Sequence, residues 1–195
     1  MLDPSPADPG ADPGHEGHLF ADPALGRVVK TEAEISRRIV ELGKEITRDY
    51  AENPPLLVCV LKGAFVFLAD LVRQIHLPLE VDFMAVSSYG ASTKSSGVVR
   101  IVKDLDSDLQ GRHVLLVEDI VDSGLTLSYL SRNLQARKPA DFKVCALFVR
   151  QGNQKTSVNL DYVGFEIPPS FVLGYGLDVS ERFRNLPYVC EHAES

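Results

Sequence analysis

Two kinds of apolar pattern recur along the chain, one typical of amphipathic helices and the other of buried strands. Between residues 32 and 50 an aliphatic side chain returns every three or four positions, which predicts a helix. Thr31 and Glu34 stand at its start in the spacing of a capping box. From Leu56 to Leu61, in contrast, every residue is apolar, as in strands that are buried on both faces of a parallel sheet.

Further helices and strands alternate along the rest of the chain. The remaining predicted elements are helices at 64–75 and 124–136, strands at 79–86, 98–102, 114–117 and 142–149, and short β segments at 162–167 and 171–175. This alternation predicts an α/β fold, with a mostly parallel central sheet and helices on both faces. We expect two β arms to flank the polar segment 87–97, and the stretch from about 161 to 190 to form a small C-terminal hood.

The first 27 residues differ in composition from the rest. Asp-Pro occurs four times there, with several glycines and few apolar residues, which predicts a disordered tail. Residues 28–195 are then expected to form one domain.

Charge and cysteine content narrow the classes of function. The chain carries 27 acidic and 20 basic residues, a formal net charge of −7, which disfavours nucleic acids and anionic lipid surfaces as partners. Its longest apolar runs are too short to cross a bilayer. Three widely spaced cysteines and the absence of a secretory pattern at the start favour a cytoplasmic protein.

The clearest chemical motif follows the strand predicted at 114–117. Two carboxylates come first, and a turn with a third carboxylate, hydroxyls and a glycine then opens a helix; the segment reads Glu118-Asp119-Ile120-Val121-Asp122-Ser123-Gly124-Leu125-Thr126. Glycine, hydroxyls and amides at a helix start favour a phosphate, whereas paired carboxylates suit ribose hydroxyls, a divalent cation, or both. Acids and serines near a helix start also act as simple N-caps. The two adjacent acids favour a phosphoribosyl ligand over that alternative.

This segment resembles the phosphoribosyl-pyrophosphate motif of type I phosphoribosyltransferases, in the form found in hypoxanthine and hypoxanthine-guanine phosphoribosyltransferases. Three more segments match the family in order: Leu61-Lys62-Gly63 is similar to its pyrophosphate loop, Ser88-Tyr89 to its mobile lid, and Val163 to Pro168 with Phe171 to Asp178 to its purine-binding hood. The family's pyrophosphate loop often contains a non-prolyl cis peptide. The resemblance implies a magnesium-dependent transfer of phosphoribose from 5-phosphoribosyl-1-pyrophosphate to a 6-oxopurine, by a homodimer or homotetramer.

The resemblance also implies a role for each matching residue. The 5′-phosphate and ribose would contact Glu118, Asp119, Asp122, Ser123, Gly124, Leu125 and Thr126. Pyrophosphate would contact Lys62, Gly63, Ser88, Tyr89 and Arg184, and the purine would contact Arg150, Phe171, Val172 and Asp178. Magnesium would be held by Glu118, Asp119 and Asp178. Asp122 is the expected acid or base at purine N7, which requires its carboxylate within hydrogen-bond reach of that atom.

Two positions depart from the family pattern. Arg150 stands where most relatives have a lysine that donates to the purine 6-oxo group, and Ser170 stands where they usually have a lysine before the stacking aromatic residue. These changes leave the choice among hypoxanthine, guanine and xanthine open. A different base, or a non-catalytic nucleotide-sensing regulator of the same fold, are the alternative interpretations. The acidic charge and the retention of Asp122 favour the enzyme.

Overall fold

Strands and helices alternate along most of the chain, as the apolar pattern predicts. The computed structural model describes residues 22–88, 99–152, 156 and 158–193. In chain order the elements are β1 (Leu25–Lys30), α1 (Glu32–Asp49), β2 (Leu56–Leu61), α2 (Phe65–Val72), β3 (Glu80–Ser88), β4 (Val99–Lys103), β5 (His113–Val121), α3 (Leu125–Gln135), β6 (Asp141–Arg150), β7 (Tyr162–Ile167), β8 (Val172–Leu173) and β9 (Val189–His192).

The central sheet has six strands in the order β4-β3-β2-β5-β6-β7. The five neighbouring strands β3, β2, β5, β6 and β7 run parallel to one another. Strand β4, at the edge of the sheet, is antiparallel to β3. Helices α1 and α2 pack on one face of the sheet, and α3 packs on the other. The predicted α/β fold class is therefore confirmed. None of the helices in the described ranges has the length and apolar character that a membrane crossing needs.

The capping box predicted for α1 is present in the structure. The Glu34 amide donates to the Thr31 hydroxyl at 3.3 Å, and the Thr31 amide donates to the Glu34 carboxylate at 2.9 Å. These bonds satisfy two backbone amides at the helix start that have no partner inside the helix. Helix α1 begins where the sequence predicts, and its aliphatic residues Ile35, Ile39 and Leu42 are buried against the sheet.

Several predicted boundaries differ from the structure. Strand β5 continues to Val121 instead of ending at residue 117, because its pairing with β6 extends through the polar residues. Strand β7 belongs to the central sheet, whereas the sequence prediction placed residues 162–167 in the C-terminal hood. Strands β1 and β9, which no apolar pattern indicated, form a second sheet with β8, in which β9 lies between β1 and β8. Strand β1 begins at Leu25, inside the segment assigned to the N-terminal tail.

The three cysteines are buried and unbonded. Burial raises the pKa of Cys59 to about 12 and raises the pKa values of Cys145 and Cys190 as well. Because the thiolate is the reactive form, we expect no thiol to react with a disulfide-exchange reagent at pH 7 in the native protein. All three cysteines should react once guanidinium unfolds the chain. A native thiol that reacts at the denatured rate would contradict the described packing.

Candidate active site

Three neighbouring strands of the central sheet end at one crevice. Strand β2 ends at Leu61, β5 at Val121 and β6 at Arg150. The crevice consists of two adjoining cavities of about 620 and 240 Å³, and Leu61, Gly63 and Asp119 line both. This is the edge at which open parallel sheets bind their ligands.

The smaller cavity is formed by the turn between β5 and α3. Gly124 caps α3 in the left-handed region, at φ 76°, and has no side chain to bond the first helical amides. The Leu125 amide donates to the Ser123 hydroxyl over a long 3.4 Å. Asp122, Ser123, Gly124 and Thr126 line the cavity. Hydroxyls and the amides of a helix start beside one small cavity are groups suited to a phosphate.

Glu118 and Asp119 lie within β5 and not in the loop that follows it. Successive strand residues point to opposite faces, and Glu118 shares its face with Leu116, on the α3 side, while Asp119 shares its face with Val117, on the α1 and α2 side. Both acids line the smaller cavity, but only Asp119 also lines the larger one. The expected adjacent pair is therefore two acids that reach the crevice from opposite sides of the strand.

Burial controls the ionisation of both acids. Glu118 is only 7% exposed, and burial, followed by the charge of Asp119, raises its pKa well above the ordinary value. Burial also raises the pKa of Asp119 to about 6, although the Ile120 amide and Arg184 act in the opposite direction. Burial therefore disfavours the charged form of both acids.

The loop after β2 packs tightly against Asp119. The peptide bond between Leu61 and Lys62 is cis, as the resemblance implies. A Cβ atom added to Gly63 would lie 1.6 Å from the Asp119 Oδ2 atom, so the carboxylate occupies the space of a side chain. A Cβ atom added to Gly176, which has φ 93°, would lie 2.1 Å from the Gly63 carbonyl oxygen. The absence of side chains at both glycines lets this loop lie between β5 and the hood.

Arg150 joins the two cavities through an ion pair. Its Nη1 atom lies 3.3 Å from the Asp122 Oδ2 atom. The Arg150 side chain is 12% exposed and lines the larger cavity, whereas the Asp122 side chain is 46% exposed and lines the smaller one. Among the described residues, the buried Nε atom of Arg150 has no hydrogen-bond partner. The expected catalytic carboxylate and the expected purine donor are therefore in direct contact.

Phe171 gives the larger cavity an aromatic wall. The ring is 42% exposed, and His192 packs edge-on against it, with ring centroids 5.7 Å apart. The His192 amide also donates to the Phe171 carbonyl oxygen at 2.9 Å. Val172, the first residue of β8, lines the same cavity. Ser170, one of the two positions that differ from the family pattern, donates to the Glu191 carboxylate at 3.0 Å. This hydrogen bond fixes Ser170 to strand β9.

A group of charged residues also lines the larger cavity. The Arg184 Nη2 atom lies 2.8 Å from Asp178 and 3.4 Å from Glu181. Lys62 Nζ donates to the same oxygen of Glu181 at 2.9 Å. Four residues of this group, Lys62, Asp178, Glu181 and Arg184, line the cavity. The two cations that the resemblance assigns to pyrophosphate thus meet here.

The two residues predicted for the mobile lid lie at the edge of the residues that the structure describes. Ser88 is the last residue of β3 and pairs with Val99, and Tyr89 lies outside the described residues.

Two residues of the larger cavity and its aromatic wall, Glu181 and His192, were not predicted from the sequence. Glu181 contacts a lysine 119 positions earlier in the chain, and no local pattern signals such a contact.

The carboxylates offer the oxygen ligands that magnesium prefers. Asp119 and Asp178 line one cavity, and the charge of Asp178 raises the pKa of Asp119, a repulsion that a divalent cation would relieve. The described residues contain no group of three or more potential metal ligands. Magnesium is commonly held by one or two carboxylates together with substrate phosphates, so Asp119 and Asp178 fit it. Glu118 lines the smaller cavity, and its assignment as a magnesium ligand stays a prediction.

Fold and crevice together define an α/β protein with a phosphate-type turn beside two acids at the edge of a parallel sheet, and comparison with known proteins narrows this class. The model of the phosphoribosyl transferase domain matches residues 29–180. The hypoxanthine-guanine phosphoribosyltransferase of Mycobacterium tuberculosis strain H37Rv is 51% identical over 183 residues, covering 91% of this chain and 90% of that protein. That of Bacillus subtilis is 51% identical over 165 residues, covering 85% and 92%.

Solved structures agree with these relatives. A hypoxanthine phosphoribosyltransferase from Staphylococcus aureus superimposes with a TM-score of 0.83 at 41% identity, covering 87% of this chain and 92% of that one. A hypoxanthine-guanine phosphoribosyltransferase from Bacillus anthracis, with a HEPES molecule in its active site, gives 0.81 at 39% identity, covering 86% and 98%. The chain belongs to the phosphoribosyl transferase family.

Proposed function

We propose that this chain transfers a phosphoribosyl group from 5-phosphoribosyl-1-pyrophosphate to N9 of hypoxanthine and guanine, giving IMP or GMP and pyrophosphate. One observation carries the proposal: a phosphate-type turn, an acid of β5 and an exposed aromatic ring line one continuous crevice. The names of relatives at 51% identity support the same activity. The turn suits the phosphate of a nucleotide, the acid suits its sugar, and the aromatic ring suits its base.

The reaction separates charge, and the site carries groups for both signs. When the C1′–pyrophosphate bond breaks, positive charge grows on the ribose and negative charge on the leaving group. Lys62 and Arg184 stabilise that negative charge as it develops. Magnesium, when bound by Asp119 and Asp178, supplies further positive charge to the phosphate oxygens. The Phe171 ring stacks on the purine and orients N9 toward C1′.

Asp122 and Arg150 act on the purine. In this proposal the Asp122 carboxylate accepts the N7 proton while N9 bonds to C1′ and pyrophosphate leaves, and it returns that proton in the reverse reaction. Arg150 donates to the 6-oxo oxygen. The 3.3 Å contact between them keeps both groups at the boundary of the two cavities, where a purine bound to the sugar would lie. Arg150 remains a hydrogen-bond donor in place of the usual lysine, but its planar fork directs the donors differently.

Product formation with separate bases tests the proposal. We expect IMP from hypoxanthine and GMP from guanine when phosphoribosyl pyrophosphate is present. Removal of magnesium with a chelator should abolish product formation, and added magnesium should restore it. Adenine should give none. If xanthine were the only base to give product, the proposed substrate would be xanthine. Binding of phosphoribosyl pyrophosphate without turnover of any base would favour the nucleotide-sensing regulator.

We also infer a cytoplasmic homodimer or homotetramer. Free buried cysteines fit a reducing compartment, and Phe65 at the start of α2 is 45% exposed although it is a large apolar residue. In the similar hypoxanthine phosphoribosyl transferase of Trypanosoma cruzi, the C-terminal region has a role in the oligomeric state. Light scattering of the purified chain would measure the assembly directly.

A further inference from the structure

Glu181 occupies the position between the two cations that the proposed function assigns to pyrophosphate. Its Oε2 atom accepts from Lys62 Nζ at 2.9 Å and lies 3.4 Å from Arg184 Nη2. A carboxylate oxygen shared by an ammonium and a guanidinium reproduces the contacts of a phosphate oxygen. The Glu181 side chain lines the larger cavity together with both cations.

The backbone around Glu181 has an unusual conformation. Ser180 and Glu181 have φ values of 50° and 64°, and neither is a glycine. Left-handed residues of this kind are uncommon outside glycine and persist only where their surroundings hold them. Here the Asp178 carboxylate accepts from the Glu181 amide at 2.8 Å. Asp178 therefore fixes both the backbone of Glu181 and, through its ion pair at 2.8 Å, the side chain of Arg184.

The charges around the larger cavity balance, so it has no net positive charge to attract a polyanion. Lys62, Arg150 and Arg184 supply three positive charges, and Asp119, Asp178 and Glu181 supply three negative charges. Asp119 and Asp178 fit a metal ion, whereas the Glu181 carboxylate pairs with the two cations. Its side chain is 65% exposed, so its ion pairs are weak and readily exchanged for a stronger anion.

We propose that Glu181 is an internal competitor for pyrophosphate: its carboxylate occupies the anion subsite of the empty protein and must leave Lys62 and Arg184 before pyrophosphate or the pyrophosphoryl group of the substrate can bind. This inference rests on the proposed function. The consequence is that Glu181 weakens ground-state binding of the anion and hastens departure of the pyrophosphate product. A simple positioning residue would have the opposite effect, because its removal would release Lys62 and weaken binding.

Calorimetry with inorganic pyrophosphate and magnesium tests the direction of the effect. Glu181→Gln removes the charge, and Glu181→Asn does the same with a residue that tolerates the left-handed conformation. Both variants should bind pyrophosphate roughly 2- to 10-fold more tightly than the unmodified chain at low salt, the range expected for release of two exposed ion pairs. The difference should shrink at high salt, because exposed charges are screened.

Glu52→Gln is the matched control, since Glu52 is an exposed carboxylate beyond the C-terminal end of α1, at the opposite end of β2 from the crevice. It should leave the affinity unchanged. Equal or weaker binding by both Glu181 variants would overturn the inference while leaving the proposed function intact. Binding by neither the variants nor the unmodified chain would remove the pyrophosphate site, and the inference and the proposed function would fall together.

Discussion

Asp122→Asn should lower the turnover number with hypoxanthine by about 10²–10⁴-fold, the usual contribution of a general acid or base. Asparagine keeps the size and one oxygen of the side chain but cannot exchange a proton with N7. The Asp122 side chain is half-exposed and contacts Arg150, so the substitution leaves the buried core unchanged. Turnover measured under saturating substrates separates this loss from any change in binding.

Binding and stability measurements complete the test. The variant should bind phosphoribosyl pyrophosphate with little change, because the amides and hydroxyls of the turn from Ser123 to Thr126 remain. Asp108→Asn, at an exposed carboxylate in the loop before β5, is the matched control and should retain full turnover. Near-normal turnover in Asp122→Asn would exclude the proton-transfer role, whatever the effect on affinity.

The sequence was sufficient to predict the helices and strands that carry a regular apolar pattern. Helix α1 and the buried strands β2 and β6 follow directly from that pattern, because each buries a continuous apolar face. The turn from Asp122 to Thr126 could also be identified, because its residues are consecutive and its chemistry is local. The crevice follows from the parallel order of the strands, which brings their carboxyl ends together.

What the sequence could not supply are contacts between distant, weakly patterned segments. Strands β1 and β9 are short and mixed in polarity, and they become strands by pairing with each other and, for β9, also with β8. The contact of Lys62 with Glu181 depends on how the hood folds over the sheet. The opposite orientation of Glu118 and Asp119 depends on the length of β5, which is set by pairing with β6 and not by its own residues.

Gly63→Ala should lower kcat/KM by about 10²-fold, because the new Cβ atom would fall 1.6 Å from the Asp119 carboxylate oxygen. The carboxylate must rotate away, since the loop itself is confined on its other side by Gly176. Displacement of a catalytic or ligand-holding group by about 1 Å is sufficient for a loss of this size. Because the end of a side chain moves and the core does not, the melting temperature should change little.

Gly111→Ala provides the matched control for the general cost of adding a methyl group to a glycine. A Cβ atom at Gly111 would meet nothing within 4 Å, but φ is 72°, so alanine there should destabilise the fold by about 1 kcal/mol. Gly111 precedes β5 at the end away from the crevice, and the control should therefore lose stability but keep its activity. The opposite pattern in Gly63→Ala, activity lost with stability kept, identifies displacement of Asp119 as the cause. If Gly63→Ala retained full kcat/KM, the position of the Asp119 carboxylate would be irrelevant to the reaction.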